Sequence, residues 1–217
     1  MPLTLDTVEA RVLGCLLEKE STTPDNYPLS LNSLTSACNQ KSCRDPVMAI
    51  AEQDVARAVE TLRDKRLSSQ RHGAGSRAIK YAHEIQNLCD FQPQERALIY
   101  ALLVRGPQTV GELRGAATNL HDFANIEEVE HYLQQLAERG DGPFVVKLER
   151  VAGQKEQRWA HLLCGPVQQD PSSFAPRPPA AVLQVRADNE RIAELERQVA
   201  QLRAEVEELK TRFLQPG

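Results

Sequence analysis

The side chains best equipped for chemistry in this chain are five histidines (His72, His83, His121, His131 and His161) and five cysteines (Cys15, Cys38, Cys43, Cys89 and Cys164). Their spacing argues against a reaction centre. There is no H-E-x-x-H run, and Glu128 with His131 forms only a single E-x-x-H pair, which reads as a surface helix pair rather than half of a metal site. The cysteines are odd in number and include no C-x-x-C, which disfavours a disulfide framework and a structural zinc site. Cys43 stands near Lys41 and Arg44, a setting that can depress a thiol pKa, although a single cysteine near two bases is more often inert. Gly73-Ala74-Gly75 does not open a helix and so is no phosphate loop. No catalytic residue, metal or cofactor is expected, and the chain is not expected to be an enzyme.

Charge is the more informative signal. The 217 residues carry a formal net charge of −4, which argues against broad coating of nucleic acid. The average hides one cluster, however. Arg63, Lys65, Arg66, Arg71, Arg77 and Lys80 face only Asp64 within the same stretch. A confined contact with a phosphate backbone is compatible with a low net charge, because screening limits the attraction to roughly 8–10 Å. The candidate nucleic-acid contacts are Lys41, Arg44, Arg57, Arg71, Arg77 and Lys80. The alternative reading is a solvated hairpin whose lysines and arginines protect an edge strand.

The polar stretch Asn39-Gln40-Lys41-Ser42-Cys43-Arg44-Asp45-Pro46-Val47 is longer than a simple helix-turn-helix turn, and function often sits on such loops. Lys41 and Arg44 would lead a contact there. Equally, Arg44 and Asp45 could pair locally while Pro46 redirects the chain.

The elements that must position these residues occur twice. Residues 9–17 align with 95–103, placing Val12, Leu13, Leu16 and Leu17 in register with Leu98, Ile99, Leu102 and Leu103 on one helical stripe. Asp6 with Glu9 has capping-box spacing, as does Thr109 with Glu112, and Pro93 suits a first helical turn. Residues 28–34 match 107–113, and Val55, Val59 and Leu62 match Val129, Leu133 and Leu136. A two-stranded hairpin follows each third helix, ending in Lys80-Tyr81-Ala82-His83 and in Arg158-Trp159-Ala160-His161.

This order predicts a mainly α fold with small β-hairpins (α+β), namely two tandem winged helix-turn-helix domains over 1–90 and 91–164. The third helix of the first domain has Arg57 as its only central base, so any DNA contact there would be led by the wing. The third helix of the second domain opens with Glu127, Glu128 and Glu130, which suit its dipole but would repel phosphate, so that domain is expected to contact protein.

Residues 165–180 are proline-rich and read as a linker. Residues 181–217 carry heptads. Val185, Ile192, Val199 and Val206 stand at a positions, and Leu195, Leu202 and Leu209 at d, the pattern of a parallel two-stranded coiled coil. Arg191 with Glu196 and Glu205 with Lys210 would pair across it. A homodimer is therefore expected, with a helix folded back on a winged domain as the alternative. The N-terminus lacks a signal peptide, no membrane span is present and the reduced cysteines suit a cytoplasmic protein.

The motifs Asn39-Gln40-Lys41-Ser42, Arg44-Asp45-Pro46-Val47, Gly75-Ser76-Arg77, Lys80-Tyr81, residues 105–114 (Arg-Gly-Pro-Gln-Thr-Val-Gly-Glu-Leu-Arg), Asp141-Gly142-Pro143-Phe144 and His161-Leu162 resemble the bacterial YceH-like family of uncharacterised proteins over roughly residues 4–164. The resemblance implies a tandem winged-helix fold with no established activity and a DNA-binding label inherited from that fold. This chain has Gly115-Ala116-Ala117-Thr118-Asn119 where the family often carries basic residues, which weakens phosphate contact through the second domain. Two partners follow as expectations: double-stranded DNA, in a regulator-like homodimer, or a protein, in a scaffold or assembly factor.

Overall fold

A computed structural model of the chain describes residues 4–72, 79–150 and 154–167. It divides into two units, Met1–Gln169 and Asp170–Gly217, and the described residues all belong to the first. The fold is α+β, with six helices and two small antiparallel sheets among the described residues.

Helix α1, Thr7–Thr22, starts where Asp6 Oδ1 accepts from the amides of Val8 and Glu9, both at 2.7 Å, while Glu9 Oε2 accepts from the Asp6 amide. The reciprocal bonds satisfy donors that a helix start otherwise leaves bare. Strand β1, Leu29–Ser30, leads into α2, Leu31–Cys38, which Ser30 caps. Helix α3, Glu52–Asp64, buries Val55, Ala58, Val59 and Leu62 on one face. Strands β2, Ser68–His72, and β3, Ile79–His83, form the first hairpin, and β1 adds to its other side in the order β1-β3-β2.

The second copy repeats this order. Helix α4, Pro93–Arg105, begins with proline in its first turn and with Glu95 Oε2 accepting from the Gln92 amide. Helix α5, Val110–Ala117, has the Thr109–Glu112 capping box, and Asn125 caps α6, Ile126–Glu138. Strands β4, Val145–Lys147, and β5, Trp159–His161, close the copy. The correspondence extends to register: Leu29 pairs with Tyr81 in the first copy, and Gln108 bridges to Trp159 in the second.

The two copies share one hydrophobic cluster, built around α1 and α4, which pack on each other. Residues 97–104 of α4 are all buried, and a helix that is apolar all round belongs at the centre of a fold. Each fully buried leucine of this pair, such as Leu13, Leu16, Leu98 or Leu102, contributes about 1.5–3 kcal/mol by leaving water. Gly14 permits the approach, since a Cβ there would stand 2.7 Å from Val104 Cγ1 and 3.0 Å from Leu103 Cβ. Beyond Val167 the expected linker, the heptad helix and its positions Val185, Ile192, Leu195, Val199, Leu202, Val206 and Leu209 lie outside the described residues.

Candidate functional site

The cationic stretch that stood out in the sequence meets carboxylates delivered by other segments. Arg63 pairs with Glu60 one turn back on α3, and Lys65 Nζ lies 2.6 Å from Glu9 Oε2 at the start of α1. Burial would raise the Glu9 carboxyl, but the Lys65 ammonium beside it and the Asp6 amide hold it below the ordinary range. Arg71 on β2 bonds Glu84 Oε1 at 2.7 Å, and the Ser69 hydroxyl, together with that guanidinium, keeps the Glu84 carboxyl ionised. On the exposed face of α3, Arg57 pairs with Asp54 at 3.2 Å. Arg77 falls outside the described residues.

Lys80, half-buried on β3, lines a groove of about 520 Å³ together with Lys19, Asn32, Ser33, Ser36 and Gln40. This is where α2, β1 and the end of α1 come together, and the lysines bring two positive charges to a polar wall. Lys41, exposed, sits just beyond α2 at the start of the long loop. The structure thus brings Lys80 and Lys19 together, a pairing not evident from spacing, and leaves Arg57 and Arg71 each occupied by a carboxylate.

Arg44 requires a correction. It is not a surface contact, because its side chain has 0% exposure and is consumed internally. Its guanidinium forms an ion pair with both oxygens of Glu18 on α1, and it also donates to the carbonyls of Ala37 (3.1 Å) and Cys43 (2.9 Å) and to Gln40 Oε1 (3.0 Å). Tyr100 from α4 completes the set by donating to Glu18 Oε1 at 3.2 Å. Burial would push the Glu18 carboxyl up, yet Arg44 outweighs it and holds the group below the usual carboxylate range.

Other bonds fix the same loop. Arg11 of α1 donates to the carbonyls of Cys38 (3.1 Å) and Pro46 (2.7 Å). Asn39 exchanges two bonds with the backbone of Ile50, at 2.7 and 2.8 Å, and the Asp45 amide donates to Val104 O at the end of α4. The loop is a brace between the copies, and most of its distinctive residues serve that brace. Glu18, Arg11 and Tyr100 were invisible to a reading that treats α1 and α4 as apolar stripes. The repeat alignment carries the signal that could have found them, since it sets Glu18 against Val104 and Arg11 against Ala97.

In the second copy Arg114 is spent on the carbonyls of Phe123 (3.1 Å) and Ala124 (3.0 Å), and Arg158 on Glu112 and the Pro107 carbonyl. The face of α6 presents Glu127 and Glu130 with Ile126, which is 46% exposed. Among the described residues no three of His, Cys, Asp or Glu gather with metal-binding geometry, and no helix is long and apolar enough to cross a membrane.

Sequence comparison places this arrangement among known chains. Residues 5–154 match the family model described as "Protein of unknown function, DUF480". A UPF0502 protein of Geobacter metallireducens is 52% identical over 200 residues, covering 92% of this chain and 90% of its own length. A UPF0502 protein of Vibrio parahaemolyticus is 48% identical over 214 residues, covering 97% and 96%, and one of Pectobacterium carotovorum is 45% identical over 210 residues, covering 95% and 98%. With the match spanning both copies of the repeat and the brace between them, the chain belongs to the DUF480/UPF0502 family of bacterial proteins.

Proposed function

We propose that this chain is a non-enzymatic tandem winged-helix protein, paired into a homodimer by residues 181–217, whose winged halves bind a protein partner. The element order, a three-helix set followed by a hairpin in each copy, and the resemblance to the YceH-like family support the winged-helix assignment. One observation carries the choice of partner. Arg57, Arg63, Lys65 and Arg71, the cations a DNA-binding wing and third helix would need, each already have a carboxylate within ion-pair distance. Phosphate would have to displace that carboxylate, and the displaced group would then repel the duplex. The acidic, partly apolar face of α6 adds a surface that suits a basic protein segment better than a nucleic acid.

A second reading has its own support. Lys19 and Lys80 line one polar groove, and Lys41 stands exposed on the neighbouring loop, so a duplex could bind there with Arg77 as a further contact. Fluorescence anisotropy with a random duplex separates the two. The protein-binding reading expects no salt-sensitive binding at micromolar concentration. Micromolar binding that weakens steeply with salt and falls in Lys19→Ala/Lys80→Ala would transfer the function to DNA. For the dimer, analytical sedimentation of the full chain and of a form ending before residue 183 is expected to give twofold and single mass respectively. An unchanged mass would remove the homodimer.

A further inference from the structure

One corner of the repeat is filled differently in the two copies. In the second copy Arg158 of β5 is held by both oxygens of Glu112, in the first turn of α5, at 2.9 and 3.2 Å. Glu112 Oε2 also accepts from the Thr109 amide at 2.9 Å, so one carboxylate bridges a strand cation and the start of the neighbouring helix. The first copy keeps the frame without the carboxylate. Lys80 pairs with Ser30 across the strands, one place on from the Leu29–Tyr81 pair, and Thr109 and Arg158 hold the same places relative to the Gln108–Trp159 bridge. The position of Glu112 is taken by Ser33, whose hydroxyl bonds that of Ser30 at 2.9 Å. Among the described residues Lys80 forms no ion pair.

This corner belongs to the groove of about 520 Å³ whose walls include Lys80, Ser30, Ser33, Asn32, Ser36 and Lys19, and no acidic residue lines it. The volume lies within the 300–1,000 Å³ usual for ligand sites. Lys19 is shared with Glu18, 3.6 Å away, which leaves Lys80 as the uncommitted cation of the wall. A duplex carries one negative charge per roughly 1.7 Å of its axis and calls for several free cations in a row. One free lysine beside one shared lysine instead matches a chain segment bearing one or two carboxylates, and the second copy shows the carboxylate geometry that this frame accepts.

We propose that this groove docks an acidic segment of the protein partner, which presents an Asp or Glu side chain to Lys80 at the place that Glu112 takes beside Arg158 in the second copy. Asn32 and Ser36 on the exposed side of α2 supply hydrogen-bonding neighbours for the rest of the segment. The inference rests on the reading that the winged halves bind protein, and it assigns an acidic stretch of that protein to the first copy while the acidic α6 face of the second copy suits a basic one.

The test is fluorescence anisotropy on the full chain with a labelled hexaglutamate peptide, beside hexaglutamine and a random duplex carrying the same label. Hexaglutamate is expected to bind saturably at submillimolar concentration in low salt, at least tenfold more tightly than hexaglutamine. Lys80→Ala should weaken it at least tenfold. Ser33→Glu rebuilds the arrangement of the second copy: position 33 is exposed, and with Ser30 as cap the new side chain completes an S-x-x-E capping box, so the protein stays folded while its own carboxylate takes Lys80. That variant should also lose at least tenfold in hexaglutamate affinity, and the uncharged Ser33→Gln should lose several-fold less. The proposal is overturned if hexaglutamate does not bind, if hexaglutamine equals it, or if its binding survives Ser33→Glu. Where the duplex also fails to bind, the protein-binding reading stands through α6 without this groove; salt-sensitive duplex binding that Ser33→Glu abolishes overturns both, since the groove would then serve phosphate.

Discussion

The N-terminal and C-terminal copies place the same elements in the same order and even keep the same cross-strand register, yet their central helices are filled differently. In α1 the buried face includes Glu9, Arg11 and Glu18; in α4 the positions matching Arg11 and Glu18 are Ala97 and Val104. The reason is the longer loop of the first copy, 39–51 between α2 and α3 against 118–125 between α5 and α6. Residues 39–50 leave α2 with carbonyls and a guanidinium that must be satisfied inside, and α1 provides the cation and the anion that do so. Gly14 answers Tyr100 in the same way: the small residue on one helix makes room for α4, and the tyrosine at the equivalent place reaches Glu18. A duplication can thus keep its fold while one copy becomes the brace.

The largest expected effect tests the brace. Glu18→Ala leaves Arg44 buried without its counter-charge and should cost about 3–5 kcal/mol in urea unfolding. Adding Arg44→Met should recover much of this, because the loss lies in the stranded charge. If the double variant is as unstable as the single, the ion pair is not what separates the copies.

Gly14→Val probes the α1–α4 seam by forcing a side chain into the space taken by Val104 and Leu103. Overpacking of this kind should destabilise by about 1–3 kcal/mol in the same assay. Tolerance at no cost would mean that the helices can part without penalty and that the copies are held together elsewhere.

A buried histidine gives a pH test. Burial pushes His161 down to about 4, from an ordinary 6.5. A base depressed by folding stabilises the protein fully above its unfolded value, and this stability drains as pH falls from 6.5 towards 4, where the unfolded chain takes up about one more proton. Removing the imidazole in His161→Phe should flatten the stability profile across that window. The carboxylates of Glu9 and Glu18 are depressed, so their contribution is full above about 4.5 and is lost only at more acidic pH. An unchanged slope in His161→Phe would refute the assignment.

The smallest effect concerns the surface. Arg57→Ala removes an exposed pair with Asp54 and should change stability by only about 0.2–1 kcal/mol in thermal unfolding. A larger loss would indicate that the exposed face of α3 is part of the packed structure.

Much of the fold was legible because helical stripes and capping residues act locally. Asp6 with Glu9 and Thr109 with Glu112 do cap helices, and Val55, Val59 and Leu62 do face inward, as their spacing required. The site was less legible. Arg44 and Arg71 look alike in a sequence, but one is locked to Glu18 inside the molecule and the other pairs with Glu84 at the surface. Charge clusters are counted along the chain, while charges are neutralised across space, and Glu9, Glu60 and Glu84 came from outside the counted interval.

By itself the sequence determined the duplication, the order of elements, the apolar faces and the membership of a family, because each rests on periodicity and local bonding that need no knowledge of what lies opposite. Only the tertiary structure decided which cations are spent and that the long loop braces the two copies. Those outcomes depend on partners separated by tens of residues, and Coulomb and hydrogen-bond energies follow distance in space rather than distance along the chain.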